Sequence, residues 1–222
     1  MNEQFQRFSL LLNEKQIENI NKARVAVVGL GGVGSVAALA LARNGISKFI
    51  LCDFDVVQIS NINRQLIANF NTLGMQKTDV CEKMIKEINP NAEIIKISER
   101  FSEDSKLFNY EFDYLIDAID DIDNKFLLIK TCLEHKIKFI SSMGTARKMD
   151  LTKLKIMDLN QTSYDPLARK LRKLLRDNGI YEKVPVICST EEPIKTIGLG
   201  SYMPVTSTAG MMLADYIIKL LI

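Results

Sequence analysis

Three glycines with the spacing of a phosphate-binding loop directly follow a short run of β-branched residues. Residues 24–28 are typical of a buried parallel strand, and Gly29, Gly31 and Gly34 then form the pattern G-x-G-x-x-G at the start of a helical segment. Glycine permits a turn with positive φ, and because it has no Cβ the backbone can approach a phosphate closely. The N–H groups at the helix start would face that phosphate. We therefore predict a nucleotide site rather than a plain turn.

An acidic residue lies at the distance from this loop at which a carboxylate binds a ribose hydroxyl. Asp53 ends the next apolar run, roughly twenty residues downstream of the loop. This spacing alone suits NAD equally well. Arg64 and Lys77 follow, however, and cations near the phosphates point away from a dehydrogenase. A nicotinamide-binding or non-catalytic Rossmann module is therefore the weaker alternative.

More carboxylates follow a later strand pattern. Residues 112–119 are mostly apolar, with Asp117 near their end and Asp120 directly after them. Open α/β sheets bind ligands at the carboxyl ends of their strands, so these side chains are expected beside the glycine loop. Arg64 and Lys77 could each be solvated surface residues; combined with the aspartates they are interpreted as one functional set. For Asp117, a supporting role and a turn cap are equally compatible with the pattern.

Alternating strand and helix patterns place these residues on one sheet. Helices are predicted over 36–43, 77–88 and 124–135, and strands over 46–53, 92–97 and 137–142. This βαβ alternation implies right-handed crossovers and an α/β fold with a Rossmann-like, doubly wound, largely parallel sheet. The connection over 55–75 has no clear period. Because connections of this length are usually functional or mobile, we expect it to cover the ligand.

The two ends of the chain differ from this alternating pattern. An N-terminal arm of about residues 1–22 is expected to contain a helix over 14–21 capped by Asn13. A substrate-binding portion is expected from about residue 145 to 222, with a C-terminal antiparallel extension of the sheet. Its predicted elements are strands over 151–158 and 184–189, a basic amphipathic helix over 165–178 and an apolar helix over 207–222. Residues 1–222 are assigned to a single domain.

Composition narrows the class of protein. With 222 residues, 47% of them hydrophobic, the chain can form an α/β domain with a substantial core, and a net charge of +2 gives no global argument for nucleic acid. No signal peptide is recognised, and no apolar run approaches the roughly twenty residues that cross a bilayer. A cytoplasmic protein without a membrane partner is therefore expected. The four cysteines include no C-x-x-C pair, which argues against a thiolate zinc site.

Taken together, these segments resemble those of the ThiF-like, ubiquitin-activating-enzyme-like adenylyltransferases, a family that includes activators of ThiS- and MoaD-type sulfur carriers. The shared segments are 29–34, 53–55, 60–65, 74–77 and 117–120. Within this family the chain is most similar to the tRNA threonylcarbamoyladenosine dehydratases. That similarity is carried by residues 165–168 before the basic helix, residues 189–191 after a strand, and the strand and turn over 137–144.

The resemblance implies roles for individual residues in binding ATP and Mg²⁺. The glycine loop would bind the phosphates, Asp53 would hold the ribose, and Asp120 would orient a Mg²⁺ ion through ATP. The implied nucleotide-binding residues are Gly29, Gly31, Gly32, Gly34, Asp53, Asp55, Asn61, Arg64, Gln65, Lys77 and Asp120. The implied catalytic residues are Arg64, Lys77, Asp120 and Arg7. Arg7 would reach the ATP of a partner subunit, so a homodimer is implied.

The implied reaction is the ATP-dependent cyclisation of N6-threonylcarbamoyladenosine in tRNA. The threonyl carboxylate would be adenylated, and a nitrogen of the same side chain would then close the ring with loss of AMP. Arginine, lysine and Mg²⁺ can stabilise the charge on the phosphate oxygens, while an intramolecular attack needs mainly positioning in a dry site. A basic helix face would bind tRNA phosphates, with a merely solvated face as the alternative. Its residues are Arg169, Lys170, Arg172, Lys173 and Arg176.

Two departures from the family pattern bear on the alternatives. The sulfur-carrier activators generally carry two C-x-x-C pairs for zinc; this chain has none, so no zinc is expected. In bacterial dehydratases a cysteine can precede the Ser-Thr-Glu run by three residues, but here that position is Val186 and the cysteine is Cys188. We therefore expect no essential thiol. Adenylation of the C-terminal glycine of a ThiS- or MoaD-type carrier is the alternative function, and a sulfur-transfer protein is a candidate partner.

Overall fold

The computed structural model describes residues 3–222 and contains a sheet flanked by helices on both faces. The strands are β1 (Arg24–Val28), β2 (Lys48–Cys52), β3 (Glu93–Ile97), β4 (Tyr114–Asp117), β5 (Lys138–Ser142), β6 (Leu154–Asp158) and β7 (Pro185–Ser189). The helices are α1 (Gln6–Ser9), α2 (Glu14–Lys22), α3 (Gly34–Arg43), α4 (Lys77–Ile88), α5 (Ile122–Glu134), α6 (Pro166–Asp177) and α7 (Met203–Leu221). Short 3-10 turns, such as Ile59–Asn61 and Leu159–Gln161, lie in the connections.

The strand order of the sheet confirms the predicted fold class. Across residues 3–222 the order is β3-β2-β1-β4-β5-β7-β6, and its pairs are parallel except for the antiparallel pair of β6 and β7. From β1 the chain continues outward through β2 and β3, then returns to place β4 on the other side of β1. The register sets Val28 beside both Cys52 and Asp117. This reversal creates a crevice at the carboxyl ends of β1 and β4, where doubly wound sheets bind ligands.

Residues along β1 alternate between two hydrophobic clusters. Val25 and Val27 pack in a cluster with residues of α3, α4 and α7, whereas Ala26 and Val28 pack in a cluster with residues of α5 and α6. Alternation arises because successive side chains of a strand point to opposite faces, and both faces of this sheet are covered. The whole strand is therefore apolar, which explains why its limits match the predicted residues 24–28.

Helix α3 packs unusually closely against α7. Residues 34–42 are all buried, and most of them are small. A Cβ added at Gly210 of α7 would lie 2.4 Å from the carbonyl oxygen of Val33, just before α3. This position therefore accepts only glycine without a shift of one helix. The contact fixes the start of α3, and with it the glycine loop, against the last helix of the chain.

Most element boundaries agree with the predictions, and the main error concerns α7. The sequence pattern predicts a start at Ser207, but the helix begins at Met203, with Pro204 in its first turn. Proline is tolerated there because the first N–H groups of a helix have no intrahelical acceptor. Pro204 therefore indicates the start of α7, not the end of the preceding loop. In residues 3–222, no helix combines the length and apolar character needed to span a membrane.

Candidate active site

A cavity of about 500 Å³ occupies the crevice at the carboxyl ends of the central strands. One part of its wall, here called the loop end, comprises Gly29, residues 31–33, residues 53–55, Asn61, Arg64, Gln65 and Lys77. The other part, here called the β5 end, comprises residues 142–148 and 165–167. Asp120 and Asp121 lie in the turn after β4 and also line the cavity. Every nucleotide-binding residue named from the sequence lines this cavity except Gly34, which lies under the loop.

The glycine loop is shaped by two close backbone approaches. Gly29 has a φ of +90°, its N–H donates to the Cys52 carbonyl oxygen at 2.8 Å, and an added Cβ would lie 2.6 Å from the Ala118 carbonyl oxygen. A Cβ at Gly34 would lie 1.8 Å from the Gly29 carbonyl oxygen. At Gly31, by contrast, the nearest atom to an added Cβ is 3.8 Å away. Gly29 and Gly34 therefore fold the loop, while Gly31 leaves open space in the cavity.

Asp53 connects the end of β2 to the glycine loop. Its Oδ2 accepts a hydrogen bond from the Leu30 N–H at 2.6 Å, and its Oδ1 accepts one from the Asp55 N–H at 2.8 Å. Burial raises the pKa of this carboxyl above its usual range, although nearby Lys77 and the two N–H donors oppose that shift. Asp53 thus positions the loop in addition to the ribose contact predicted for it, which stays a prediction.

Lys77 places a buried positive charge beside the loop. Its Nζ lies 2.8 Å from Asp55 Oδ2 and 3.9 Å from Asp53 Oδ1, and its N–H donates to the Asp55 carbonyl oxygen at 3.0 Å. A buried ammonium needs such compensation, because an unpaired charge is costly to remove from water. The two carboxylates therefore hold the amine at the cavity wall as the first residue of α4.

The crossover between β2 and α4 supplies three polar residues. The Asn61 Oδ1 accepts from the Gln58 N–H at 3.0 Å, which fixes the 3-10 turn. The half-buried Arg64 side chain donates from its guanidinium to the Ser60 carbonyl oxygen at 2.9 Å. Gln65 is buried, yet its Oε1 has no hydrogen-bond partner among residues 3–222. An orphaned amide oxygen in a cavity wall indicates a place where a polar ligand completes the hydrogen bonding.

The turn after β4 is stabilised by a buried ion pair that sequence reasoning missed. Asp117 is fully buried; its Oδ2 accepts from Lys125 Nζ at 2.7 Å and from Ser141 Oγ at 2.6 Å, and its Oδ1 accepts from the Ile119 N–H at 3.0 Å. Asp117 therefore caps the turn, and its supporting role at a ligand site stays a prediction. A helical spacing could have identified Lys125, because it precedes buried Leu128, Ile129 and Cys132 by three, four and seven residues.

Asp120 projects from this turn and is exposed. It forms no hydrogen bond or salt bridge with any part of the chain that the structure describes, and it lines the cavity. An accessible carboxylate at this position can contribute to binding Mg²⁺ together with phosphate oxygens. No group of three or more His, Cys, Asp or Glu side chains within residues 3–222 is arranged to hold a metal ion by itself.

The β5 end contains two buried charged residues that the sequence patterns did not single out as functional. Lys148 is buried, and its Nζ donates to the Glu191 carbonyl oxygen. Asp165 is buried, and its Oδ1 caps α6 by accepting from the Ala168 N–H at 2.7 Å. Burial raises the pKa of Asp165 and lowers that of Lys148, because each loses hydration of its charged form; the opposite charge of the other opposes both shifts.

Cys188 lies on β7 near these charges but has the properties of a core residue. Its side chain is buried, and burial raises the pKa of the thiol to about 12. The nucleophilic thiolate is therefore scarce at neutral pH. That this thiol is not essential stays a prediction.

Helix α6 and the N-terminal segment carry the remaining predicted residues. Arg169, Lys170, Lys173 and Arg176 are exposed on α6. Arg172 differs from them, because its Nη1 donates to the carbonyl oxygens of Leu159 at 3.2 Å and Thr162 at 3.1 Å. Its guanidinium therefore anchors the 3-10 turn before α6. Arg7 is exposed on α1 and does not line the cavity.

Comparison with known proteins gives the family. A family model described as the ThiF family matches residues 1–222. The chain belongs to the ThiF family. Among family members, it is 44% identical over 193 residues to the tRNA threonylcarbamoyladenosine dehydratase of Bacillus subtilis, a match that covers 86% of this chain and 76% of the relative.

A solved structure of a ThiF-family relative matches almost the whole chain. The tRNA N6-threonylcarbamoyladenosine dehydratase of Escherichia coli, in complex with ATP, superposes with a TM-score of 0.94 at 34% identity and covers 99% of this chain and 93% of that chain. A more distant relative is the molybdopterin-synthase adenylyltransferase of Haemophilus influenzae. It is 31% identical over 163 residues, which cover 72% of this chain and 65% of that protein.

Proposed function

We propose that this protein is an ATP-dependent dehydratase that cyclises N6-threonylcarbamoyladenosine in tRNA. The observation that carries the proposal is the continuous cavity that joins the loop end to the β5 end. The loop end offers backbone N–H groups and the buried Lys77, which suit ATP. The β5 end leaves space beside it for the group that ATP activates. The names of the dehydratase relatives supply the substrate.

The loop end fits the first half of such a reaction. An oxygen of the threonyl carboxylate would attack the α-phosphorus of ATP, and pyrophosphate would leave. Negative charge then grows on phosphate oxygens, which Arg64 and Lys77 can stabilise from fixed positions. Asp120, exposed at the cavity without a protein partner among the described residues, would hold Mg²⁺, which supplies further charge neutralisation on the phosphates.

The position of α6 supports tRNA as the substrate carrier. Its first residues, Pro166 and Leu167, line the cavity, and four exposed cations follow along the same helix. At 1.5 Å per residue, the stretch from Arg169 to Arg176 is roughly 10 Å long. The tRNA backbone would bind along this helix while the modified nucleoside enters the cavity.

A homodimer is proposed as the active unit. Large exposed apolar side chains occur in the N-terminal segment, where Leu10 and Leu11 are each 78% exposed, and in the crossover, where Phe70 is 75% exposed. Large exposed apolar side chains often mark protein interfaces. Arg7 lies in the same N-terminal segment, so association through it would bring Arg7 toward a partner's cavity.

The test measures AMP release from Mg-ATP by purified protein. Three reactions are compared, containing threonylcarbamoylated tRNA, the same tRNA without the modification, and no tRNA. We expect AMP release and loss of the mass of water from the nucleoside with modified tRNA alone. Arg64→Ala should retain the fold and lose about 100-fold or more of this rate, since it removes one fixed charge from the transition state. Equal AMP release without modified tRNA would contradict the proposal.

Adenylation of a small carrier protein is the second candidate function. The match to a molybdopterin-synthase adenylyltransferase over 72% of this chain is the observation that favours it. A carrier of the ThiS or MoaD type would stimulate exchange between pyrophosphate and ATP in the absence of tRNA. Exchange that depends on modified tRNA and is unaffected by such carriers would exclude it.

A further inference from the structure

We propose that Asp165 is the general base of ring closure, the second half of the reaction proposed above. The inference rests on that proposed function and assigns a role to a residue at the β5 end. It places the base for ring closure at the β5 end, in the same cavity as the loop end where the adenylate would form.

The two oxygens of the Asp165 carboxyl have different surroundings. Oδ1 is fixed by the Ala168 N–H at 2.7 Å and so caps α6. Oδ2 faces the turn after β5, where a Cβ added at Gly144 would lie 2.7 Å from it. Both Gly144 and Asp165 line the cavity. The carboxyl is therefore held rigidly at the wall, and the absence of a side chain at Gly144 gives it room.

Charged and titratable groups from three other segments surround this carboxyl. Lys148 faces it from the connection between β5 and β6, and Cys188 faces it from β7. The charge of Glu191, which follows β7, raises the pKa of Lys148. The charge of Arg172, on α6 itself, lowers the pKa of Cys188. Burial is the largest influence and raises the pKa of Asp165, while the Ala168, Gly144 and Leu167 N–H groups and the charge of Lys148 oppose that shift. A carboxylate with a raised pKa is a stronger base, closer to the pH at which the enzyme works.

Ring closure releases a proton, and such a base would accept it. The carbamoyl nitrogen attacks the activated carbonyl carbon, so a C–N bond forms, and the bond from that carbon to the AMP oxygen breaks. AMP leaves with the electron pair of the broken bond. The attacking nitrogen must lose its proton, which the Asp165 carboxylate accepts. No oxidant, reductant or additional reactant is needed.

The loop end does not offer an equivalent base. Asp53 and Asp55 are both paired with the Lys77 ammonium, at 3.9 and 2.8 Å. Asp117 has three donors and is fully buried. Of these four carboxyl groups, Asp165 alone lines the cavity without a salt bridge to a lysine or arginine of residues 3–222.

The experiment uses full-length protein with threonylcarbamoylated tRNA and follows the two halves of the reaction separately. Exchange of pyrophosphate into ATP reports adenylation, and single-turnover formation of the cyclic nucleoside reports ring closure. Asp165→Asn and Asp165→Ser are compared with wild type, because Asn and Ser both cap helices but cannot act as the base. Asp158→Asn is the matched control, since Asp158 also caps a helical turn but does not line the cavity.

For both Asp165 variants we expect exchange within about threefold of wild type and ring closure slowed at least about 100-fold, the usual contribution of a general base. The rise of the wild-type ring-closure rate with pH should also disappear in both variants. Asp158→Asn should leave both rates unchanged.

Ring closure at the wild-type rate in either folded variant would overturn the assignment, as would an equal loss of exchange and ring closure. Failure of the proposed function has a different signature, because wild-type protein would then show no exchange that depends on modified tRNA. The two failures are therefore distinguishable in one set of measurements.

Discussion

The two ends of the cavity are built from different kinds of sequence. The loop end takes its charged residues from segments close to the glycine loop, and its lysine is paired with a carboxylate at 2.8 Å. The β5 end brings together residues 142–148 and 165–167, and no salt bridge within 4.0 Å joins Lys148 to Asp165 in the described chain. At the loop end, the charge of Lys77 is thus neutralised by a carboxylate. At the β5 end, Lys148 and Asp165 are buried without a salt bridge to each other. Compensated charges suit binding of a fixed cosubstrate, and desolvated charges suit proton transfer.

The largest expected effect comes from Lys125, which binds Asp117 at the end of β4 and Ser141 on β5. Lys125→Met leaves Asp117 buried without its ion-pair partner, so the free energy of unfolding should fall by about 3–5 kcal/mol. Urea unfolding followed by circular dichroism measures this. The double variant Lys125→Met with Asp117→Asn removes the uncompensated charge and should regain part of the loss. Equal stability of the single variant and wild type would show that the pair does not hold the turn.

Lys77→Met should damage the loop end alone. The substitution keeps the length of the side chain but removes the charge, so adenylation should slow by about 10²–10³-fold. Exchange of pyrophosphate into ATP in the presence of modified tRNA is the measurement. Lys96→Met, at a partly exposed lysine paired with Asp79 and outside the cavity, provides a matched control with no expected loss. Unchanged exchange in Lys77→Met would show that adenylation does not depend on the charge of Lys77 at the loop end.

The cations of α6 should affect tRNA affinity more than chemistry. Lys170→Gln and Lys173→Gln each remove one exposed charge, so the affinity for tRNA should fall a few-fold. The slope of the log association constant against log salt concentration should become shallower by about 0.9 for each lost phosphate contact. Arg172→Gln should instead lower the melting temperature, because this residue binds backbone carbonyls. Filter binding at several salt concentrations tests these expectations. An unchanged salt slope in both lysine variants would assign this face to solvent.

The smallest expected effect is an increase in stability at the β5 end. Burial raises the pKa of Asp165 in the folded protein, so the unfolded chain loses this proton at a lower pH. The free energy of unfolding therefore falls as the pH rises from the unfolded-state pKa to the folded-state pKa. An asparagine does not titrate, so Asp165→Asn removes this fall in the free energy of unfolding with rising pH. Its thermal stability should exceed that of wild type at pH 7, with the difference shrinking below about pH 4. A less stable variant at pH 7 would indicate that the cap or the charge of Asp165 is stabilising.

The loop end was predictable from sequence because its chemistry is encoded locally. The glycine spacing, the position of Asp53 after a strand and the proximity of Arg64 and Lys77 in one crossover are visible without a structure. The structure adds that Gly29 and Gly34 are required by backbone packing, which the spacing alone does not distinguish from ligand contact. The fold class followed from periodicity, since each strand and helix of the core has a clear pattern.

The β5 end was not predictable in the same way. Lys148 lies in a segment without a clear period, and its burial depends on a contact with Glu191, 43 residues away. Asp165 was visible as a residue before a helical proline, which explains a cap but not a cavity position. Arg172 was grouped with the exposed cations of α6, although its carbonyl contacts separate it from them. Such environments arise from tertiary packing, which single-sequence patterns do not contain.

The contact between α7 and the start of α3 has a consequence for synthesis of the protein. The glycine loop is encoded near residue 30, but Gly210 packs against Val33 and Thr206 lines the cavity beside the loop. A ribosome makes the chain from its N-terminus, so the packing of the loop is complete only after about 170 further residues have been added. Early strands can form their local pairs during that time. Premature termination before α7 would therefore yield a chain that contains every predicted ATP-binding residue and still lacks a finished ATP site.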